Sequence, residues 1–360
     1  MSNGLKEVAA WTGEENLSDL LHHHYGIRLK GAEPVRGVLK LQTDEGPFVL
    51  KRVRSGEKDR WKWVAELARH VEMSGCEEIR IPQPLFTASG RLYFHGYRFP
   101  YVLLPWLEGK PLSFNRADDW RRASRALARF HQSTVGFKPG SSGRRYDCTG
   151  KWLAEWEHVC QQLDIFRLAA KWTPNPTEAD QSWLQTASYI SGLMENLLEY
   201  YQKIDGDEPC QKSIPSGKCC HNRLHRHNLL ADDEGWIQFV DWNQAVLDIR
   251  LRDLAQWLTY AYGRTGSQQI LTDVLKSYQE VAPLEEGEYS LLYARMLFPE
   301  KLFHLLRRVY QKQDISIHSA APDIQKAVQT EEKKAGLLRG YTAAVKEEFH
   351  ITIPKLDWLH

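Results

Sequence analysis

The stretch Cys220-His221-Asn222-Arg223-Leu224-His225-Arg226-His227-Asn228-Leu229-Leu230, followed after a polar turn by Phe239-Val240-Asp241-Trp242, decides how this sequence reads. Apolar residues flank Asp232-Asp233-Glu234-Gly235, the pattern of a β-hairpin. Asn228 stands just before the hairpin and Asp241 closes its second strand. Phosphoryl transfer from ATP uses residues in this order. The reaction is mostly positioning and electrostatics: a carboxylate accepts the acceptor's proton, an Asn and a second Asp hold magnesium, and a lysine steadies the phosphates. The loop that carries them is written H-R-D-L-x-x-x-N. Here His221 opens it and Asn228 ends it, but the base position is occupied by Arg223. Asp253, opening the next helical stretch, is expected beneath the loop, accepting hydrogen bonds from its backbone.

Upstream, the chain supplies the matching lysine. Val35, Gly37, Leu39 and Leu41 alternate with polar or smaller residues, and Phe48-Val49-Leu50-Lys51-Arg52-Val53 follows a Thr43-Asp44-Glu45-Gly46 turn. This predicts a β-hairpin over 28–54, with Lys51 at the end of an apolar strand and Gly37 as a possible phosphate-covering turn. Helical spacing of Trp61, Val64, Leu67, Ala68 and Val71 predicts a helix over 57–74. Glu66 lies centrally on it and is expected to pair with Lys51, with Glu57 and Glu72 as competitors. Strands are expected at 85–87 and 91–95. Tyr101-Val102-Leu103-Leu104 then reads as a fifth strand leading to a hinge, where the backbone at Leu104 and Trp106 would meet an adenine. Pro105 has no N–H, so the donor there would be Trp106.

From residue 112 the pattern is helical. Arg121, Arg122, Arg125 and Arg129 lie off the apolar face of a helix over 118–133, as on a solvated face. Helices are expected at about 150–171, 178–204, 268–281 and 285–311, and again at 333–348 after a polar stretch at 312–332. The resulting expectation is an α+β fold of two lobes, a β-rich lobe over 1–104 and a helical lobe over 105–360.

Composition narrows the function classes. The net charge of +1 gives no global field to recruit nucleic acid or an anionic membrane. The 13 tryptophans sit mostly in amphipathic stretches, which suits packing rather than base stacking. No apolar run reaches the ~18–20 residues of a membrane span, and Met1–Glu7 has no apolar signal region. A cytoplasmic protein with reduced cysteines is expected. His221, His225 and His227 invite a zinc reading, but Arg223 and Arg226 interleave them and oppose a divalent cation. The run His22-His23-His24 points its rings in different directions on a helix, which does not make a shared metal site.

With these residues in place, the chain resembles the aminoglycoside/choline phosphotransferase superfamily of kinase-like proteins, and within it the bacterial spore-coat CotS/YutH/YsxE group. The resemblance spans roughly residues 20–345. It is carried by Phe48–Lys51, Leu127–Gln132 with Gly136-Phe137, Gly150–Leu153, Cys220–Asn228, Asp241-Trp242, Leu251–Leu254, Pro283-Leu284 and Phe298-Pro299. It implies a bilobal protein-kinase-like fold with ATP and Mg between the lobes: Lys51, Glu66, Leu104 and Trp106 around the nucleotide, Asn228 and Asp241 on the metal. It also implies synthesis in the mother-cell cytoplasm, then a place in the spore coat among other coat proteins. The sequence departs from the superfamily's H-G-D pattern at two consecutive positions, Asn222 for the glycine and Arg223 for the aspartate. Arginine stays protonated and cannot serve as a base, and a general base is worth typically ~10²–10⁴-fold in rate. Three readings follow: a pseudokinase acting as a scaffold or nucleotide-responsive module, a working small-molecule phosphotransferase in which Arg223 binds an anionic acceptor, and a purely structural coat protein. The missing base favours the first.

Overall fold

Residues 12–35, 37–54 and 56–357 are described by the computed structural model. In chain order they form α1 (Leu17–Tyr25), β1 (Leu29–Val35), β2 (Val38–Thr43), β3 (Gly46–Arg52), α2 (Lys58–Met73), β4 (Phe94–His95), β5 (Pro100–Pro105), β6 (Lys110–Pro111), α3 (Ala117–Ser133), α4 (Trp152–Trp172) and α5 (Glu178–Lys203). Then come α6 (Asp207–Ser213), β7 (Cys219–Cys220), β8 (Leu229–Ala231), β9 (Ile237–Phe239), β10 (Val246–Leu247), α7 (Leu251–Thr265), α8 (Gln269–Gln279), α9 (Glu286–Leu297), α10 (Glu300–Leu306) and α11 (Ala321–Phe349). They divide into two compact units. The first holds the described residues through Ser113 with Ser133–Asp147 and Arg226–Ala245; the second holds Phe114–Gln132, Cys148–His225 and the chain from Val246 onward.

In the first unit, an antiparallel sheet of order β1-β2-β3-β5-β4 turns one face inward. The period-2 alternation of β2 and β3 puts Leu39, Leu41 and Leu50 on that face, where they pack with Tyr101 and Leu103 of β5 and Leu21 of α1. The helix α2 buries Trp61, Trp63, Val64, Leu67 and Val71, and its spacing of three and four makes this one continuous stripe. A second sheet, β6-β8-β9, explains why the unit runs past the expected boundary at 104/105. β6 pairs with β8, so the 226–245 hairpin is built into this unit. The approach is tight at Gly109, where a Cβ would lie 3.0 Å from the Ala231 carbonyl oxygen.

Several sequence expectations change here. Gly37 adopts φ +84° and reverses the chain between β1 and β2, so the run expected as one strand is two. β1, Leu-Lys-Gly-Ala-Glu-Pro-Val, has no apolar alternation and was not legible; it is an edge strand, where Pro34 is tolerated. Residues 85–95 give only the short β4, because Thr87 N–H bonds the Arg91 carbonyl at 2.8 Å and the Thr87 hydroxyl takes the Arg91 N–H, making a closed turn instead.

The second unit is helical. Within α5, Trp183, Ala187, Ile190, Met194, Leu197 and Tyr201 are buried, and a capping box between Thr177 and Asp180 starts the helix. The arginines of α3 are not simply solvated: Arg125 pairs with Glu280 at 2.6 Å and Arg121 with Asp273 at 3.4 Å. α11 begins at Ala321, within the stretch expected to be polar linker, because Pro322 can occupy a first helical turn and Ile324, Ala327 and Val328 are buried at helical spacing. All six cysteines are free thiols.

Buried ion pairs fix the start of α7. Asp248 is fully buried and holds Arg252 Nε at 2.5 Å and Trp152 Nε1 at 2.8 Å, while Arg252 also reaches Glu155 at 2.9 Å. Arg250, next to the helix, is clamped by Glu288 at 3.1 and 2.6 Å and donates to the Pro283 carbonyl at 2.7 Å. Glu288 also accepts from Ser213 at 2.5 Å and from the Glu285 N–H at 2.8 Å. Replacing Glu288 by Ala strands the Arg250 guanidinium in the interior. Chemical denaturation should show a loss of about 3–5 kcal/mol, the cost of one orphaned member of a buried pair; a loss below about 1 kcal/mol would contradict this account.

Candidate phosphate and loop site

Residues read from the sequence as one site fall in both units. In the first unit, β8 pairs antiparallel with β9, Leu229 facing Phe239. One step further, Val240 N–H donates to the Asn228 carbonyl at 3.0 Å. This register brings Asn228 and Asp241 to the same end of the hairpin. Asp241 adopts φ +73° and ψ 55°, a left-handed conformation open to few residues other than Gly, Asn and Asp. The kink ends β9 and starts the 3-10 turn Trp242–Gln244.

Lys51, near the end of β3, forms an ion pair with Asp241. Its ammonium also lies 5.6 Å from the centre of the Trp61 ring. Asn243 turns its amide nitrogen to Asp241, donating to Oδ1 at 2.6 Å and to the carbonyl at 3.3 Å. Asn243 was not singled out from the sequence; its position two residues after Asp241 was the available signal.

Two expectations for this unit need correction. Glu66 does not pair with Lys51: its carboxylate accepts the Gly140 N–H at 2.8 Å, while Lys51 takes Asp241. The backbone donor expected at Trp106 is already occupied. β5 stays in register with β3 beyond Pro105, so Trp106 N–H bonds the Pro47 carbonyl at 3.1 Å. The same register sets Leu104 opposite Val49, and the Trp106 ring faces Lys40 Nζ at 4.3 Å.

In the second unit, the loop that opens with His221 is built on one carboxylate. Asp253, in the first turn of α7, has no solvent exposure. Its Oδ2 accepts His221 N–H at 2.7 Å and its Oδ1 accepts Asn222 N–H at 2.8 Å. One helical step further, Gln256 Oε1 accepts Leu224 N–H at 2.6 Å. The backbone on both sides of Arg223 is thus tied to α7. Gln256 was missed, although its i+3 relation to Asp253 placed it on the same face. Asn222 adopts φ +60°. A glycine reaches that region freely and Asn more readily than other side chains, so the Gly-to-Asn departure keeps the bend.

Behind Asp253 stands His131, also without solvent exposure. Its Nε2 lies 3.4 Å from Asp253 Oδ2 and its Nδ1 2.7 Å from the Tyr278 hydroxyl. Because a carboxylate only accepts, the proton belongs on Nε2 and Tyr278 O–H donates to Nδ1. Burial lowers the His131 pKa from its ordinary 6.5, and the neighbouring Asp253 only partly offsets this. Cys220, with its thiol at 3.2 Å from the Ile249 carbonyl, is close enough to complete a His-Cys-Asp metal set. Burial pushes that thiol well above its usual range, and it donates to the Ile249 carbonyl.

Comparison with known proteins follows the same lines. The family model described as "Spore coat putative kinase YutH" matches residues 18–341. The endospore coat-associated protein YutH of Bacillus subtilis (strain 168) is 30% identical over 239 residues, covering 65% of this chain and 66% of that protein, just under two thirds of its length. Spore coat protein S of the same organism is 21% identical over 301 residues, covering 83% of this chain and 84% of that protein. Among solved structures, an aminoglycoside phosphotransferase from Alicyclobacillus acidocaldarius superimposes with a TM-score of 0.68 at 16% identity, covering 90% of this chain and 93% of that one. A spectinomycin phosphotransferase solved with ADP and spectinomycin gives 0.59 at 16% identity, covering 92% and 98%. At such identities the likeness establishes the fold: an α+β aminoglycoside-phosphotransferase-like, kinase-like fold.

Two outcomes test the loop. Asn222→Gly should leave stability within about 0.5 kcal/mol, whereas Asn222→Val, forced to positive φ, should cost about 1–3 kcal/mol in denaturant unfolding; equal effects would contradict the backbone argument. Because the native His131 pKa lies below 6.5, the unfolded chain takes up a proton that the folded one refuses. Stability is therefore full above pH 6.5 and falls as the pH drops from there toward the native value. His131→Gln should flatten that decline relative to the unaltered chain, measured as unfolding free energy against pH.

Proposed function

We infer that this chain, which belongs to the YutH spore-coat family, works as a coat-associated pseudokinase: a scaffold or nucleotide-responsive module with the kinase-like fold but without ordinary phosphotransferase activity. One observation carries this reading. The loop around position 223 is fully built, with backbone bonds to Asp253 and Gln256 on either side, yet its base position is an arginine. A loop decaying for want of use would lose these supports; here they are kept, the Gly-to-Asn change holds the bend, and the proton acceptor is replaced by a group that cannot accept.

The residues fit magnesium and phosphates better than adenine. Asn228 and Asp241 offer hard oxygen donors from one end of a hairpin, the kind Mg²⁺ prefers, and Lys51 is the phosphate-binding cation. Mg²⁺ would be held by Asn228 and Asp241 and would supply positive charge to the phosphates of a nucleotide. For that, Lys51 must exchange the Asp241 carboxylate for a phosphate oxygen. The Trp106 N–H, engaged by Pro47, does not offer the adenine a backbone donor. The spore-coat relatives support a coat location and coat partners; synthesis in the mother-cell cytoplasm is part of the same proposal. A second reading, a working phosphotransferase in which Arg223 binds an anionic acceptor, is favoured by the intact Lys51, Asn228 and Asp241 set.

The test pairs binding with turnover. Millimolar Mg-ATP should raise the Tm by a few degrees, in line with the ~2.7 kcal/mol expected at a hundredfold excess over Kd. Lys51→Ala and Asp241→Ala should each remove the shift. No ATP-dependent phosphorylation of aminoglycosides, choline or protein should be detected. Phosphorylation that disappears in Asp241→Ala establishes the second reading instead, and absence of any Tm shift leaves a structural coat protein.

A further inference from the structure

A groove of about 510 Å³ lies along the outer side of α2, walled opposite by the turn at 86–93. It is entirely within the first unit and apart from Lys51 and Asp241. Three cations line it, Lys62, Arg69 and Arg91, against a single acid, Glu66, whose carboxylate is engaged by the Gly140 N–H. Lys62 has an exposed neighbour, Asp59, at 3.3 Å, a contact worth little in water. Arg69 and Arg91 have no carboxylate partner among the described residues. The apolar part is provided by Phe86, 48% exposed, and by Tyr93, whose ring faces a further cation, Lys58 Nζ, at 4.9 Å.

We propose that this groove docks an acidic peptide segment of a partner protein, one carrying an aromatic or aliphatic anchor side chain beside its carboxylates. Charge complementarity selects the acidic partner: the groove has an excess of cations, and Arg is a side chain that interfaces favour. Phe86 supplies the anchor contact. An exposed aromatic next to unpaired guanidinium groups is the combination that yields a small interaction centre with an apolar middle and a charged rim. The walls are formed in advance. α2 is held by its buried face, and the turn is closed by the Thr87–Arg91 bonds, by Gly90 N–H to the Thr87 carbonyl at 2.8 Å and by Leu85 N–H to the Leu103 carbonyl at 2.9 Å. Docking therefore costs little ordering of the receptor. The site does not depend on whether nucleotide binds Lys51 and Asp241, so it stands or falls separately.

The probe is a short fluorescein-labelled peptide of Asp and Glu residues around one central Phe, titrated with the full chain at low salt and followed by anisotropy. Saturable binding is expected, weakening as salt rises. Arg69→Glu combined with Arg91→Glu should weaken it at least about tenfold, and Phe86→Ala by about three- to tenfold. Both changes are at the surface, and unchanged Tm values will show that the fold is intact. Arg125→Glu, on α3, should bind as the unaltered chain does. A peptide with Lys in place of each acid should not bind. The proposal is overturned if the acidic peptide shows no binding at millimolar concentration, if the double charge reversal leaves Kd unchanged, or if inorganic phosphate displaces the peptide as well as unlabelled peptide does, which would reduce the groove to an anion site. Concentration-dependent dimerisation abolished by the same double variant would overturn it too, by assigning the groove to a second copy of this chain.

Discussion

One buried carboxylate organises the helical unit's functional loop. Asp253 accepts the backbone N–H groups of His221 and Asn222 on its two oxygens, and His131 approaches one of them from behind. A carboxylate with no exposure is stable only when such donors replace its lost hydration. The requirement is mutual: the loop N–H groups would otherwise be buried orphans. Around this centre the supports radiate outward, Tyr278 behind His131, Gln256 one step along α7, and the Arg250–Glu288 clamp at the helix start. The backbone bonds on either side of position 223 run to Asp253 and Gln256.

Those backbone bonds stand with an arginine at the base position. In the sheet-bearing unit, Lys51 and Asp241 satisfy each other directly. Their pairing is made possible by the left-handed kink at Asp241, which ends β9 and turns the carboxylate out of the ladder. Each half of the chemistry thus has its own geometric cause, one a buried carboxylate in the first turn of α7 that holds the loop and the other a strand-ending kink.

Much of the fold was legible because period-2 and period-3.6 patterns are direct images of burial. Leu39, Leu41 and Leu50 alternate because one sheet face is inside, and the α5 seam steps by three and four for the same reason. What was not legible depended on pairing rather than pattern. β1 has no alternation and exists because β2 offers it an edge. The Trp106 donor is occupied because β3 and β5 stay in register one residue longer than the apolar run. Glu66 sat at the right place on α2 by spacing, yet Gly140, remote in sequence, supplies its partner. Spacing along the chain named Lys51, Asn228, Asp241 and Asp253, but it could not say which charge each would face.

The free cysteines have a consequence for redox chemistry. Burial raises the pKa of Cys148, brings Cys160 to about 11 and Cys210 to about 12, and lifts Cys220 well above the ordinary value. Thiol–disulfide exchange proceeds through the thiolate and needs access to it. In the folded chain the raised pKa values keep these four sulfurs protonated; Cys210 and Cys220 are also buried, whereas Cys148 and Cys160 are partly exposed. Cross-linking through Cys210 or Cys220 during assembly of a protein layer would require that segment to open first; at those two positions the fold itself acts as a reducing shelter.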